Sequence, residues 1–244
     1  MRLAARLLAI LLALPLGTPP AFAQEVTLKL HHFLPAVGIE HRGWIEPWTK
    51  RVEAASGGRI KIEIYPSMQL GGKAPQLFDQ AKDGVVDIAW TLAGYTPGRF
   101  PHLEAFELPF VASDKGEITS KALWAYAREH AVEDLKDVKV LAISAHGKGN
   151  LFIKDKLVVK PADIAGLKIR VPSRTINDTL ALLGASPQGI PAPGVPEALA
   201  KGVVDGVMFP YEVVPAFKVH ELTNRVTEWM GDRALYTAVF LFVM

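Results

Sequence analysis

The side chains able to do chemistry are few in this sequence, and none falls into a catalytic spacing. There is no cysteine, which removes thiol nucleophiles, thiolate metal sites and disulfides together. No Gly-x-Ser-x-Gly elbow occurs. His31, His32, Glu40 and His41 cluster in sequence, but without the His-Glu-x-x-His spacing of a helical zinc site. Adjacent His31 and His32 at a strand end would point to opposite faces. Gly147-Lys148-Gly149 opens like a dinucleotide loop, yet Phe152 stands where the third glycine would fall. No cofactor and no metal is expected. An exported hydrolase or metal enzyme acting on a small acid stays as the alternative, because seven histidines leave room for a triad assembled by the fold.

Binding chemistry has a better candidate. In Leu167-Lys168-Ile169-Arg170-Val171 the apolar residues share one strand face, and Lys168 and Arg170 share the other. Pro172 then stops regular pairing and places Arg170 near a strand end. A guanidinium is a planar fork that takes a carboxylate through two parallel N–H···O bonds. On spacing alone Arg170 is either such a clamp or a solvated strand arginine. Aromatic residues follow two other strand patterns: Trp90 and Tyr95 after the first, Phe209 and Tyr211 after the second. Each could stack on a bound molecule or fill core.

The elements that must position these residues alternate. Val26 to Leu30 alternates as a strand, and Trp44, Trp48 and Val52 have helical spacing up to Gly57-Gly58. Arg59 to Tyr65 is a period-2 strand. Gln76–Lys82 reads as helix, Val85–Thr91 as strand, Ile118–Leu135 as helix and Lys139–Ser144 as strand. Leu167–Val171 is a further strand, followed by helix Thr175–Leu183. This βαβα order predicts an α/β fold with mainly parallel sheets. One tetrapeptide recurs: Gly84-Val85-Val86-Asp87 returns as Gly202-Val203-Val204-Asp205, each after a short amphipathic helix. Each glycine sits where a helix ends with positive φ, and each Val-Val pair is expected to open a buried strand. The echo suggests two similar lobes, with ligand chemistry beyond the strand ends.

Arg2, Arg6 and the apolar run Leu7–Leu16 have the form of a secretory leader, with Ala21-Phe22-Ala23 as its small-x-small cleavage site. The run is about half the ~20 residues a spanning helix needs. Without the leader's two arginines, basic and acidic residues balance at 25 each. That balance argues against nucleic acid or an anionic membrane surface as the main partner. With no cysteine, no lipid anchor is expected. Ala238 to Met244 suits a buried strand, and the sequence stops within that pattern. The expectation is a C-terminally truncated chain that exposes apolar surface.

Several runs, taken in order, resemble one family. They are His31-His32-Phe33-Leu34-Pro35, Tyr65 to Gly72, Asp83 to Asp87, Tyr95 to Pro101 continuing to Glu107-Leu108-Pro109-Phe110, Pro161 to Arg170, and Glu197-Ala198-Leu199 with Val204-Asp205-Gly206. Together they resemble the DctP-like solute-binding proteins of TRAP (tripartite ATP-independent periplasmic) transporters. The resemblance implies a two-lobed periplasmic-binding-protein-like fold with a hinge and a ligand cleft between the lobes. It implies capture of a small organic acid in the periplasm and delivery to the TRAP membrane permease subunits, without catalysis. A sensor that reports occupancy to a membrane receptor would look the same. Lobes are expected at 24–144 and 145–233, with leader 1–23 and a strand in 234–244 that returns to the first lobe.

The resemblance makes Arg170 the carboxylate clamp and brings His32 near the ligand. Phe209 departs from the asparagine many members carry there, which favours an aromatic or apolar-bodied acid; alternatively Phe209 is core, and Tyr211 or Glu212 takes the polar role. Where some relatives carry another arginine this chain offers His146 and Lys148. The expected ligand-binding set is therefore Arg170, Phe209, Trp90, Tyr95, His32, Tyr211, Glu212 and His146.

Overall fold

The computed structural model describes residues 26–244; the leader and its cleavage site lie outside the described residues. The first half runs β1 (Val26–His32), α1 (Glu46–Ala55), β2 (Ile60–Tyr65), α2 (Leu77–Lys82), β3 (Ile88–Leu92), α3 (Pro101–Glu104), α4 (Gly116–His130) and β4 (Val140–Ala145). The second runs β5 (Asn150–Ile153), β6 (Lys168–Val171), α5 (Arg174–Leu182), β7 (Ser186–Gly189), α6 (Val195–Ala200), β8 (Gly206–Phe209), α7 (Val219–Leu222), β9 (Arg225–Thr227) and β10 (Val239–Val243).

The strands form two five-stranded sheets, ordered β2-β1-β3-β10-β4 and β7-β6-β8-β5-β9. The two orders superpose as a repeat. In each, three parallel strands are followed by one strand that runs the other way, then by an edge strand. The reversed strands, β10 and β5, are the ones the chain supplies after leaving the opposite sheet. Mainly parallel sheets were expected; four of the eight pairings are antiparallel, because each sheet is completed by a strand arriving from the other lobe.

The repeated tetrapeptide marks equivalent points of the two lobes. Gly84 and Gly202 have φ of 72° and 69°, conformations glycine adopts without a Cβ penalty. The N–H groups of Val85 and Val86 both turn back to the Gln80 carbonyl, as those of Val203 and Val204 do to Ala198. These valines therefore belong to the helix stop. Val85 and Val203 are exposed, and the strands begin later, at Ile88 and Gly206. The aspartates then lock the register. Asp87 receives the Lys29 N–H on its carboxylate at 2.7 Å and returns its own N–H to the Lys29 carbonyl. Asp205 makes the same reciprocal pair with Lys168, its carboxylate accepting at 2.8 Å.

Helix α4 also ends earlier than its pattern suggests, at His130. Ala131 and Leu135 still pack into the core, through turns. The Ser120 hydroxyl of α4 clips Ala145 at the end of β4, accepting from its N–H and donating to its carbonyl. This fixes the point where the chain leaves the first lobe. The two crossing segments meet there: Gly149 N–H bonds the Tyr236 carbonyl at 3.0 Å, and the Thr237 hydroxyl donates to the His146 carbonyl at 2.8 Å.

Candidate ligand-binding site

Arg170 is the organising residue. It lies on β6 and is 1% exposed, which is rare for an arginine without an acidic partner. Its Nε donates to the Ile190 carbonyl at 2.6 Å and its Nη1 to the Met208 carbonyl at 3.1 Å. The guanidinium carbon stands 4.7 Å from the centre of the Phe209 ring, a cation–π contact. Burial lowers the Arg170 pKa, and the nearby Tyr95 and Tyr236 phenols oppose that shift. Its Nη2 has no partner although it is buried. A buried cationic N–H left unbonded is costly, so this atom has the character of a waiting donor.

The surroundings are almost wholly apolar. Arg170 borders a small cavity of about 30 Å³, with Phe33, Phe209, Phe217, Tyr236 and Phe240 in its wall. His146 is also in that wall, 7% exposed, and its Nε2 has no partner. Burial, with the Arg170 charge adding to it, pushes the His146 pKa down to about 4, so the imidazole is neutral near pH 7. Burial likewise pushes the Tyr95 and Tyr236 phenols above their usual range.

The site lies where the lobes meet. The Tyr95 hydroxyl of the first lobe accepts the Ala192 N–H of the second at 2.9 Å. Arg174 pairs with Glu104 across the seam at 2.7 Å. At Gly94 a Cβ would come within 2.5 Å of the Ser173 side chain; only glycine lets the lobes approach this far. Behind Gly94, Glu107 is 1% exposed and accepts the Val239 N–H at 3.1 Å. Burial pushes its pKa up to about 7.

Of the expected set, Arg170, Phe209 and His146 border one cavity, with Tyr95 against the guanidinium. Trp90 stands behind it, stacked between Phe33 at 5.4 Å and Phe240 at 4.8 Å. His32 is spent on internal bonds. Its Nδ1 accepts the Leu34 N–H, and its Nε2 faces His41 Nδ1 at 2.9 Å. Burial first, then the neighbouring imidazoles, push its pKa down to about 3. Tyr211 lies outside the cavity, exposed, its hydroxyl on Glu228 at 2.5 Å. Glu212 is exposed as a residue and borders a neighbouring gap with Glu40 and Trp44. The loss of water there raises the pKa of both carboxyls.

Sequence reading missed Tyr236, Phe33, Phe217 and Phe240, which look like ordinary core, and the Ile190 carbonyl, which no residue type announces. A larger open groove of about 920 Å³ lies between α3 and α5, lined by Leu108, Phe110, Leu182 and Trp229 among others. The arginine and histidine with spare polar atoms border the smaller cavity.

Two mirrored α/β lobes with a buried, half-bonded arginine at their seam define a two-lobed binding-protein fold. The description of the bacterial extracellular solute-binding proteins, family 7, matches residues 30–240, and the chain belongs to that family. A TRAP solute-binding protein from a marine metagenome, described as specific for aromatic acid ligands and crystallised with 3-hydroxybenzoate, is 53% identical. It covers 91% of this chain and 69% of its own, with a TM-score of 0.89. A TRAP solute-binding protein from Rhodoferax ferrireducens with copurified benzoate is 49% identical, covering 90% and 68%, with a TM-score of 0.87. The C4-dicarboxylate-binding periplasmic protein DctP of Rhodobacter capsulatus is 26% identical over 85% of this chain and 62% of its own length. A solute-binding protein of Roseobacter denitrificans is 28% identical over 87% and 65%. The chain thus spans less than two thirds of the length of these two curated relatives. Among the described residues no helix is long and apolar enough to cross a membrane.

Proposed function

We propose that this chain is the extracytoplasmic receptor of a TRAP transport system, binding an aromatic carboxylate between its lobes. The observation that carries this reading is the buried Arg170 guanidinium with a free Nη2, set in an apolar aromatic wall. A carboxylate supplies the missing negative charge and acceptor, and the phenylalanine rings accept an apolar body. Phe209 serves twice, as wall and as the π face beneath the cation. The likeness to receptors found with 3-hydroxybenzoate and benzoate supports an aromatic acid over a small dicarboxylate.

The cavity beside Arg170 holds about one water's volume. A ring therefore enters only when the lobes part, which breaks the Tyr95–Ala192 and Glu104–Arg174 links. Reclosure buries the acid, and the change of shape is what a permease can read. Export by the leader with cleavage near Ala23, a periplasmic location, lobes at 24–144 and 145–233, and a binding role without turnover complete the reading.

Calorimetric titration with benzoate, 3-hydroxybenzoate and malonate tests it. One-to-one binding of both aromatic acids, at least tenfold tighter than malonate, is expected. No binding of any aromatic acid, or preference for malonate, overturns the reading.

A further inference from the structure

His146 carries a second, separate piece of recognition. Its Nδ1 lies 2.5 Å from the Gly147 carbonyl. A carbonyl only accepts, so Nδ1 carries the ring proton. The Thr237 Oγ1, 3.5 Å away, is a further neighbour on that side. The other nitrogen, Nε2, is thereby fixed as a bare acceptor. It is buried and unpartnered. The ring is held edge-to-face by Tyr236, 4.9 Å between centroids, and Phe240 lies against it at 6.1 Å. It cannot swing to water without unpacking the crossing segment. A carboxylate has no proton to give this nitrogen, and at neutral pH the imidazole has no second proton to offer a carboxylate. What satisfies it is a hydroxyl donor on the body of the bound acid.

We infer that His146 is a specificity-determining residue that selects hydroxylated aromatic acids by accepting the ligand hydroxyl on Nε2, while Arg170 holds the carboxylate. This rests on the proposed aromatic-acid reading and narrows it. An acid lacking the hydroxyl leaves a buried acceptor unpaired, and sites built to bond a hydroxyl discriminate strongly against its absence. The expected preference is about tenfold or more for 3-hydroxybenzoate over benzoate.

The test is calorimetry with both acids on the protein and on His146→Phe and His146→Gln. The expected result is a hydroxyl preference, read as the ratio of the two affinities, that collapses to within about twofold in His146→Phe and returns in part in His146→Gln, whose amide oxygen accepts. An unchanged preference in His146→Phe overturns this inference alone. Failure of the unaltered protein to bind either acid overturns the aromatic-acid reading as well. Should His146→Phe fail to fold, imidazole ¹⁵N resonances of the unaltered protein decide. The His146 Nε2 signal moves with 3-hydroxybenzoate and stays with benzoate; equal shifts with both acids overturn the inference.

Discussion

The two lobes place a nitrogen-rich side chain in the same slot and use it differently. The reciprocal aspartate bonds equate Lys29 of β1 with Lys168 of β6, so His31 is the counterpart of Arg170. Both are buried, and both reach the loop that follows the neighbouring edge strand. His31 is bonded at both nitrogens: Nδ1 meets Gln80 Oε1 at 2.7 Å, and Nε2 faces the Leu70 N–H at 3.3 Å. Arg170 reaches the Ile190 and Met208 carbonyls and keeps one nitrogen unbonded. The repeat thus builds one slot twice, closes it in the first lobe and leaves it open in the second. In the proposed site the slot is an unfinished hydrogen-bond network; in the first lobe the same slot is finished.

The sharpest way to break this contrast is to exchange the two consequences. Arg170→Met should weaken benzoate binding by a hundredfold or more, since a buried charge-assisted pair is lost. Its unliganded melting temperature should hold or rise, because an uncompensated buried charge is removed. His31→Leu should do the reverse. Affinity should stay within about threefold, while stability falls by about 1–2 kcal/mol as Gln80 and the Leu70 N–H lose their partner. Calorimetry and thermal melts on both variants decide, and similar behaviour of the two would dissolve the contrast.

The crossing strands sharpen it next. β5 is reached through Gly149, whose N–H goes to a backbone carbonyl; the first N–H of β10, that of Val239, goes to the Glu107 carboxyl. The second of these bonds has a titratable acceptor. The folded pKa of Glu107 is raised to about 7, so the folded state holds its proton after the unfolded chain has released it. Glu107 therefore contributes stability that is lost as pH rises from about 4.5 to 7, by up to about 3 kcal/mol, while the buried neutral His32 and His146 act in the opposite direction below about 6.5. Glu107→Gln keeps an acceptor for Val239 and should remove Glu107's share alone. Denaturant titrations of both proteins at several pH values would show it as a stability difference that changes between about pH 4.5 and 7; a difference constant with pH would show that Glu107 does not titrate in this way.

The smallest effect concerns symmetry itself. Asp87→Ala and Asp205→Ala each remove one carboxylate–amide bond and should each cost about 1–2 kcal/mol, equal within about half a kcal/mol. A marked inequality in melting behaviour would show that the lobes differ in more than their slots.

Much of this organisation was legible in residue pattern. The Ile60–Tyr65 strand follows its strict alternation, and the Gly-Val-Val-Asp echo marks equivalent joints in both lobes. What misled was local ambiguity. Apolar Val85 and Val203 look like strand, yet the backbone N–H groups at those joints belong to the helix stops. Trp90 reads equally as a ligand platform or as core, and its ring stacks on Phe33 and Phe240. What stayed hidden was long-range. A returning strand in 234–244 was expected, but its place between β3 and β4 depends on segments far apart in the chain, and no periodicity encodes it. The free Nη2 of Arg170 was invisible for the same reason, because its state depends on carbonyls at positions 190 and 208.

The exchange of strands also sets an order on folding. In the first sheet β4 touches the rest only through β10, so a nascent chain that ends before residue 239 holds that sheet in two pieces with raw edges. Roughly 150 residues separate β3 from the strand that closes it, a span that makes pairing slow. The first half, although made first, is finished last. It is the second lobe, whose five strands are consecutive from β5 to β9, that can condense as a unit and present the template on which the older half is sealed.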